Sequence, residues 1–327
     1  MAAATIDQQA LASVVQLACR APSLHNSQPW HLIAGDGELR VFLEPYRAPR
    51  ATDLTGRETL ISCGALLDHL KVAAAAGGWN AEVAHFPNPN DLNHLATIEF
   101  HPTELITDAA RARADAILAR RTDRLPFAAP AGWAYIEPLL RDAVDPELAT
   151  LHVLPDSARP QVAQASRLTE TFRRYDNAYH AELDWWTASF EAADGVPRSS
   201  LASPSERDRV DVARSFPLGG RAGRRPEVDH DQAAIAVLST DGDDRRSALG
   251  CGEAMSGVLL EATLAGLATC PVSHITELAA GRDILRALTG SSDDPQLLIR
   301  IGQVPALENP PPPTPRRPLA DVLEVRL

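Results

Sequence analysis

The octapeptide RETLISCG, residues 57–64, returns in the second half of the chain as RRSALGCG, residues 245–252. Both copies place arginine first, a hydroxyl residue third and Cys-Gly last. Each opens a long apolar run with helical periodicity. Gly78 and Gly266 keep the same offset from the two copies and suit the turns that end such helices. Two central helices built alike predict two copies of one architecture in a single chain.

The chain has 327 residues, enough for roughly two domains or one large one. Its net charge of −12 excludes a protein that grips nucleic-acid backbones with a basic face, and equally one that adsorbs on anionic membranes. Lys71 is the only lysine, so a cation that holds phosphate here must be arginine. Cys19, Cys63, Cys251 and Cys270 form no CxxC pair, which fits buried thiols in a reducing compartment. The histidines show no HExxH or other paired spacing, and no metal is expected. The start MAAATIDQQA lacks the pattern of a signal peptide, and no apolar run reads as a membrane span, so a cytoplasmic location is expected.

Around the repeats the elements alternate. A helix through Ile6–Ala18 stops before Pro22, and WHLIAGDGELRVFLE reads as a hairpin turning on Asp36-Gly37. A strand near 96–100, a helix from Thr107 to Arg121, a helical stretch over 130–149 and the strand LHVLP follow. One long helix is expected over 158–190. The strands AAIAVLST and QLLIRIGQV flank the second repeat. Residues 191–227 lack a period and read as either a disordered link or a cover over a site. The tail over 308–327 begins as a stiff polyproline arm.

Three segments carry unusual chemistry. PSLHNSQPW (22–30) crowds hydroxyl and amide side chains against a tryptophan, and amides suit the alternating donors and acceptors of a heteroaromatic edge. RRTDRLPF (120–127) sets three arginines and a threonine at a helix end, and PRRPL (315–319) holds two arginines between prolines. Both also read as plain solvated cations. No GxSxG elbow occurs, and LGCGEA (249–254) lacks the third glycine of a dinucleotide fingerprint.

Together these segments resemble the FMN-dependent nitroreductase family, and in detail its actinobacterial Acg-like branch. PSLHNSQPW resembles the family's PSSxNxQPW element, which implies flavin contacts for Pro22, Ser23, Leu24, Asn26 and Gln28. RRTDR is similar to the RxSxR/K motif, which brings in Arg120, Arg121, Thr122 and Arg124. ATLAGLATCPVSHI is similar to the LGLGxxPxxGF segment, which sets Val272, Ser273 and His274 beside the flavin N5. PRRPL resembles the C-terminal basic element near the phosphate and contributes Arg316 and Arg317.

The order of the motifs departs from the family. There RxSxR precedes PSSxNxQPW, and one flavin takes each motif from a different subunit of a dimer. Here RRTDR follows NSQPW, so a fused pair with complementary losses would keep one complete site. The fold expected is α+β, two nitroreductase-like halves at 1–106 and 107–327 around antiparallel or mixed sheets. A monomer suffices, with a homodimer as the alternative. The resemblance implies FMN as cofactor, NAD(P)H as electron donor and a nitro- or quinone-like small molecule as acceptor. The chemistry belongs to FMN, and no side chain is named as catalytic. Leu24 in place of the second serine of PSS, and Ser273-His274 in place of a glycine-containing turn, reshape the face where nicotinamide stacks. The alternative function is therefore a flavin-sequestering protein with a covered ring and little reductase activity.

Overall fold

The computed structural model describes residues 5–188, 194–217, 219, 223–305 and 312–326. Its first repeat is α2 (Arg57–Ala76), preceded by α1 (Gln8–Ala18) and the hairpin β1 (Trp30–Gly35) and β2 (Glu38–Leu43). Strands β3 (Trp79–His85) and β4 (His94–Pro102) follow it, and α3 (Asp108–Ala119) leads into the second half. There α4 (Trp133–Asp142), β5 (Thr150–Leu154) and β6 (Ala234–Thr240) precede the second repeat, α8 (Arg245–Leu264). Then come β7 (Ala268–Val272), α9 (Ala279–Thr289) and β8 (Asp294–Gly302). Among the described residues, three α-helices lie between β5 and β6, namely α5 (Arg159–Arg173), α6 (Asn177–Trp186) and the short α7 (Pro204–Arg207).

The strands form two sheets, ordered β3-β4-β2-β1-β9 and β7-β8-β6-β5. In each, the two strands before the central helix pair with each other, and the second strand after it joins them to the first. The pairings are antiparallel except for the tail strand β9 (Leu323–Val325), which adds in parallel to β1. The unit α1-β1-β2-α2-β3-β4 thus recurs as α4-β5-β6-α8-β7-β8. The architecture is α+β.

The two central helices cross on their glycines. A Cβ on Gly64 would lie 1.9 Å from the Leu249 carbonyl oxygen, and one on Gly252 would lie 2.0 Å from that of Ile61. The contact is reciprocal, since Ile61 and Leu249 hold the same place in the two octapeptides. Both helices are buried nearly all round, which explains why their apolar residues show no single face. By length and composition α2 could cross a bilayer, but here it lies within the core.

Local chemistry accounts for most boundaries. Asp36 (φ 55°) and Gly37 (φ 83°) make the expected tight turn between β1 and β2. Thr107 caps α3 by accepting from the Ala110 N–H at 3.1 Å. The single helix expected over 158–190 is instead α5 and α6. Asp176 starts the second by accepting from the Tyr179 N–H at 3.0 Å. The expected polyproline start of the tail lies partly outside the described residues, as do parts of 191–227.

Gly64→Ala or Gly252→Ala is expected to force the helices apart and cost about 3 kcal/mol or more, above the usual cost of overpacking because the obstacle is backbone. Thermal and denaturant unfolding of the variants would measure it.

Candidate functional site

After α1 the chain turns sharply, with His25 (φ 52°), Asn26 (φ 57°) and Gln28 (φ 49°) in the left-handed region. Such conformations cost on the order of 1 kcal/mol or more each and persist where surrounding bonds over-determine them. Those bonds use the polar side chains of the segment. Ser23 Oγ accepts from the Gln28 N–H at 3.0 Å, and Gln28 Oε1 accepts from the Arg317 N–H at 2.9 Å. Asn26 Nδ2 donates to the carbonyls of Gly195 (3.0 Å) and Pro315 (3.1 Å). Arg47 Nε donates to Ser27 O at 2.8 Å. The loop therefore fastens the C-terminal arm and the segment at 195 to the first half.

Two adjoining cavities lie against this loop. The larger is a cleft of about 1090 Å³, part of it open to solvent. Its walls are Pro22–His25, the start of α2 at Glu58, Ile61 and Ser62, Met255 of α8, and Cys270–Ser273 at the end of β7. Ala202, Arg207, Val210, Ala213, Arg214 and Phe216 close it from the irregular segment. The smaller cavity, about 490 Å³, shares Pro22, Ser23, Thr122 and Arg124 with the larger. Arg20, Arg120, Arg121, Arg124 and Arg316 line the smaller one, and among the described residues no carboxylate does.

This cluster is electrostatically uncompensated. Arg120 is buried, and its Nε and Nη1 have no partner among the described residues. Burial, then repulsion from Arg121 and Arg20, presses its pKa down to about 10. Burial, then Arg20 and Arg120, brings Arg316 to about 9. Both remain cationic at neutral pH, so an anion entering the cavity relieves repulsion that folding has already imposed. Carbonyl oxygens fix the fork of Arg316, with Nε on Cys19 O (2.9 Å) and Nη2 on Arg20 O (2.9 Å). RRTDR is held to the floor through the Asp123 N–H on Thr269 O at 2.9 Å.

A family model described as "Nitroreductase family" matches residues 134–303. "Putative NAD(P)H nitroreductase acg" of Mycobacterium tuberculosis strain H37Rv is 54% identical over 314 residues, covering 96% of this chain and 95% of that protein. The chain belongs to the nitroreductase family. A second protein of that strain, Rv3127, is 50% identical over 320 residues, covering 97% of this chain and 93% of its own. Among solved structures, the FMN-dependent nitroreductase NfnB from Mycobacterium smegmatis in complex with NADPH aligns at 18% identity and a TM-score of 0.37, over 60% of this chain and 89% of that one. The family model runs from α4 to β8, one copy of the repeated unit. Pro22–Trp30 and Arg120–Arg124 lie outside it.

For this nitroreductase-family chain, Pro22, Ser23, Leu24, Arg124, Thr122, Val272 and Ser273 all face the cleft, while Asn26, Arg120, Arg121 and Arg316 face the arginine cavity. Three expected contacts lie elsewhere. Gln28 is fully buried within the loop and lines neither cavity, because its amide holds the tail. Arg317 turns to Glu44 (2.8 Å) and to the Trp30 and Asp321 carbonyls, tying the arm to β1. His274 points away from the cleft, its Nε2 2.8 Å from Ser166 Oγ of α5. Trp30 is buried behind the loop, as expected.

Sequence reasoning missed Arg20, whose signal was its place two residues before PSLHNSQPW. It also missed Glu58, the one carboxylate in its octapeptide, and Arg207 and Arg214, which sit in a segment without a period.

Inorganic phosphate should raise the melting temperature of the ligand-free protein, with a gain of about 2.7 kcal/mol at one hundred times its Kd. Arg120→Ala should remove that gain, whereas Arg317→Ala should lower the melting temperature and keep it. Thermal shift over a phosphate series would read both.

Proposed function

We propose that the chain is an NAD(P)H-dependent flavin oxidoreductase that holds one FMN across the two cavities and reduces nitro- or quinone-like acceptors. The observation that carries this reading is the buried Arg120, whose Nε and Nη1 have no partner among the described residues, in an arginine cavity joined to a largely apolar cleft. FMN has the matching form, a flat ring with a phosphate at the far end of a chain. The residues fit it. The arginines would hold the phosphate, Ser23 and Thr122 stand where the cavities join, and Val272 and Ser273 offer a wall to the ring. When bound, FMN supplies two-electron chemistry between NAD(P)H and the acceptor. The chain's own task is position, charge and exclusion of water.

One site per chain follows from the repeat, read as two fused halves. In the second copy Gly250 stands where Ser62 stands in the first. A Cβ there would lie 3.1 Å from Leu148, in the loop that corresponds to 20–29. That loop packs directly on α8 and fills the related position. A single chain supplies both halves of the remaining site, so the monomer suffices.

The six cleft-lining residues of the irregular segment favour a second reading, a cover that holds FMN and slows turnover. Arg214 latches it, bonded to Ser273 Oγ (3.2 Å), Tyr179 Oη (2.9 Å) and the Glu277 carboxylate. Such a latch competes with any ring that must stack above Ser273.

Purified protein should carry non-covalent FMN at one per chain. A charge-assisted contact contributes about 1.5–3 kcal/mol, so Arg120→Ala should weaken FMN binding by about tenfold or more and leave riboflavin binding nearly unchanged. Equal loss for both flavins would make the arginine merely structural. Anaerobic stopped flow with NADPH separates the two readings. Slow bleaching that Arg214→Ala accelerates supports the latched cover, and fast bleaching of the unaltered protein supports an ordinary reductase.

A further inference from the structure

Glu58 stands in a wall between two cavities. It lines the cleft on one side and, on the other, a third cavity of about 800 Å³ bounded by Arg57, Asp243, Arg245 and Arg282. Among the described residues it alone lines both. The third cavity is bounded on its outer side by Leu54, which is 75% exposed, so water reaches the far side of Glu58 without passing the cleft.

The groups facing Glu58 suit a proton carrier. On its own helix, Arg57 Nη2 donates to Oε1 at 3.0 Å and is also held by Thr276 O at 2.8 Å. From the loop before α2 comes Asp53, whose Oδ2 accepts from the Thr59 N–H (2.8 Å) and hydroxyl (2.6 Å). From the segment after β7 comes Glu277, paired with Arg173 and Arg214, and His25 faces the same cleft. Burial outweighs Arg57, and Asp53 and Glu277 add to it, so the Glu58 carboxyl is held well above the usual carboxylate range.

We propose that Glu58 is a proton relay between the solvent side of the wall and the cleft. This rests on the reading of the cleft as the FMN site. Reduction of an acceptor by NAD(P)H consumes one proton per turnover: NAD(P)H, H⁺ and a quinone give NAD(P)⁺ and a hydroquinone. Glu58 releases its carboxylic proton into the cleft, and Arg57 stabilises the carboxylate left behind. The carboxylate then takes a proton from water in the third cavity. The irregular segment narrows the direct route, and the wall provides another.

Infrared difference spectra across pH would show the carboxylic acid directly, even in the ligand-free protein. The C=O band of a neutral buried carboxyl is expected at pH 7, titrating only above the ordinary carboxylate range and absent from Glu58→Gln. Proton uptake during photoreduction of the FMN-loaded protein, read with an indicator dye, should slow by about tenfold or more in Glu58→Gln, as loss of a general acid does. FMN affinity should stay unchanged. A merely structural role would move affinity or stability but not the uptake rate. A band that persists in Glu58→Gln, or unslowed uptake with unchanged affinity, overturns the relay alone. Failure to bind FMN overturns the reading of the cleft and the relay with it. Should Glu58→Gln not fold, the unaltered protein still decides: a carboxyl band that disappears in the ordinary carboxylate range overturns the proposal.

Discussion

Gly64 and Gly252 let α2 and α8 meet backbone to backbone, and the rest of the molecule is arranged around that crossing. Each helix carries one sheet, so the crossing fixes how far apart the two sheets stand. It also brings the first turns of α2 into the wall of the cleft and Met255 of α8 into the same wall. A side chain at either glycine would widen the space between the halves, and the cleft that lies between them would lose its shape. Helix packing and binding geometry are here one constraint.

The irregular segment stays in place by buried charge rather than by secondary structure. Asp231, just past the segment, is the anchor, and its N–H donates to Arg209 O of the segment at 2.8 Å. Its carboxylate accepts from the Phe127 N–H at 2.8 Å and from Arg300 Nε at 3.1 Å, while Arg159 approaches to 3.3 Å. Arg300 is fully buried and lies over the Phe127 ring at 4.6 Å from its centroid. Arg225 pairs with Asp123 inside RRTDR, which links the segment to the arginine cavity. Buried pairs add little net stability, yet breaking one leaves an uncompensated charge that costs about 3–5 kcal/mol. The network therefore specifies one arrangement of a region whose backbone makes few regular bonds.

Much of this was legible in the sequence. The paired octapeptides disclosed the two central helices because close helix contact demands glycine at fixed spacing. RRTDR and PRRPL disclosed cations near the site because lysine is nearly absent. What the sequence hid was direction. Gln28 and Arg317 occupy motif positions, but their side chains hold one another's backbone rather than the cavity. Nothing in a one-dimensional pattern says which way an arginine between prolines turns. Strand β3 went unread since it lies at a sheet edge: Asn80, Glu82 and Ala84 are exposed, and its inward residues Trp79, Ala81, Val83 and His85 are only half-buried. The role of Glu58 was hidden for the opposite reason. Its neighbours in space, Asp53 and Glu277, come from separate turns of the chain.

The C-terminal arm has a consequence for how the molecule comes to be. Arg316 donates to Cys19 O across 297 residues of sequence, and β9 pairs with β1. These contacts join nearly the two ends of the chain, and such long loops close late because their entropy is lost before the contact repays it. During synthesis the first half can collapse long before the arm leaves the ribosome. The arginine cavity, however, is incomplete until Thr314 and Arg316 of the arm arrive. A ligand that needs that cavity therefore binds only once the arm is in place and cannot guide the earlier folding of the first half. Capture of the ligand marks completion of the fold, and the arm acts as its final fastening.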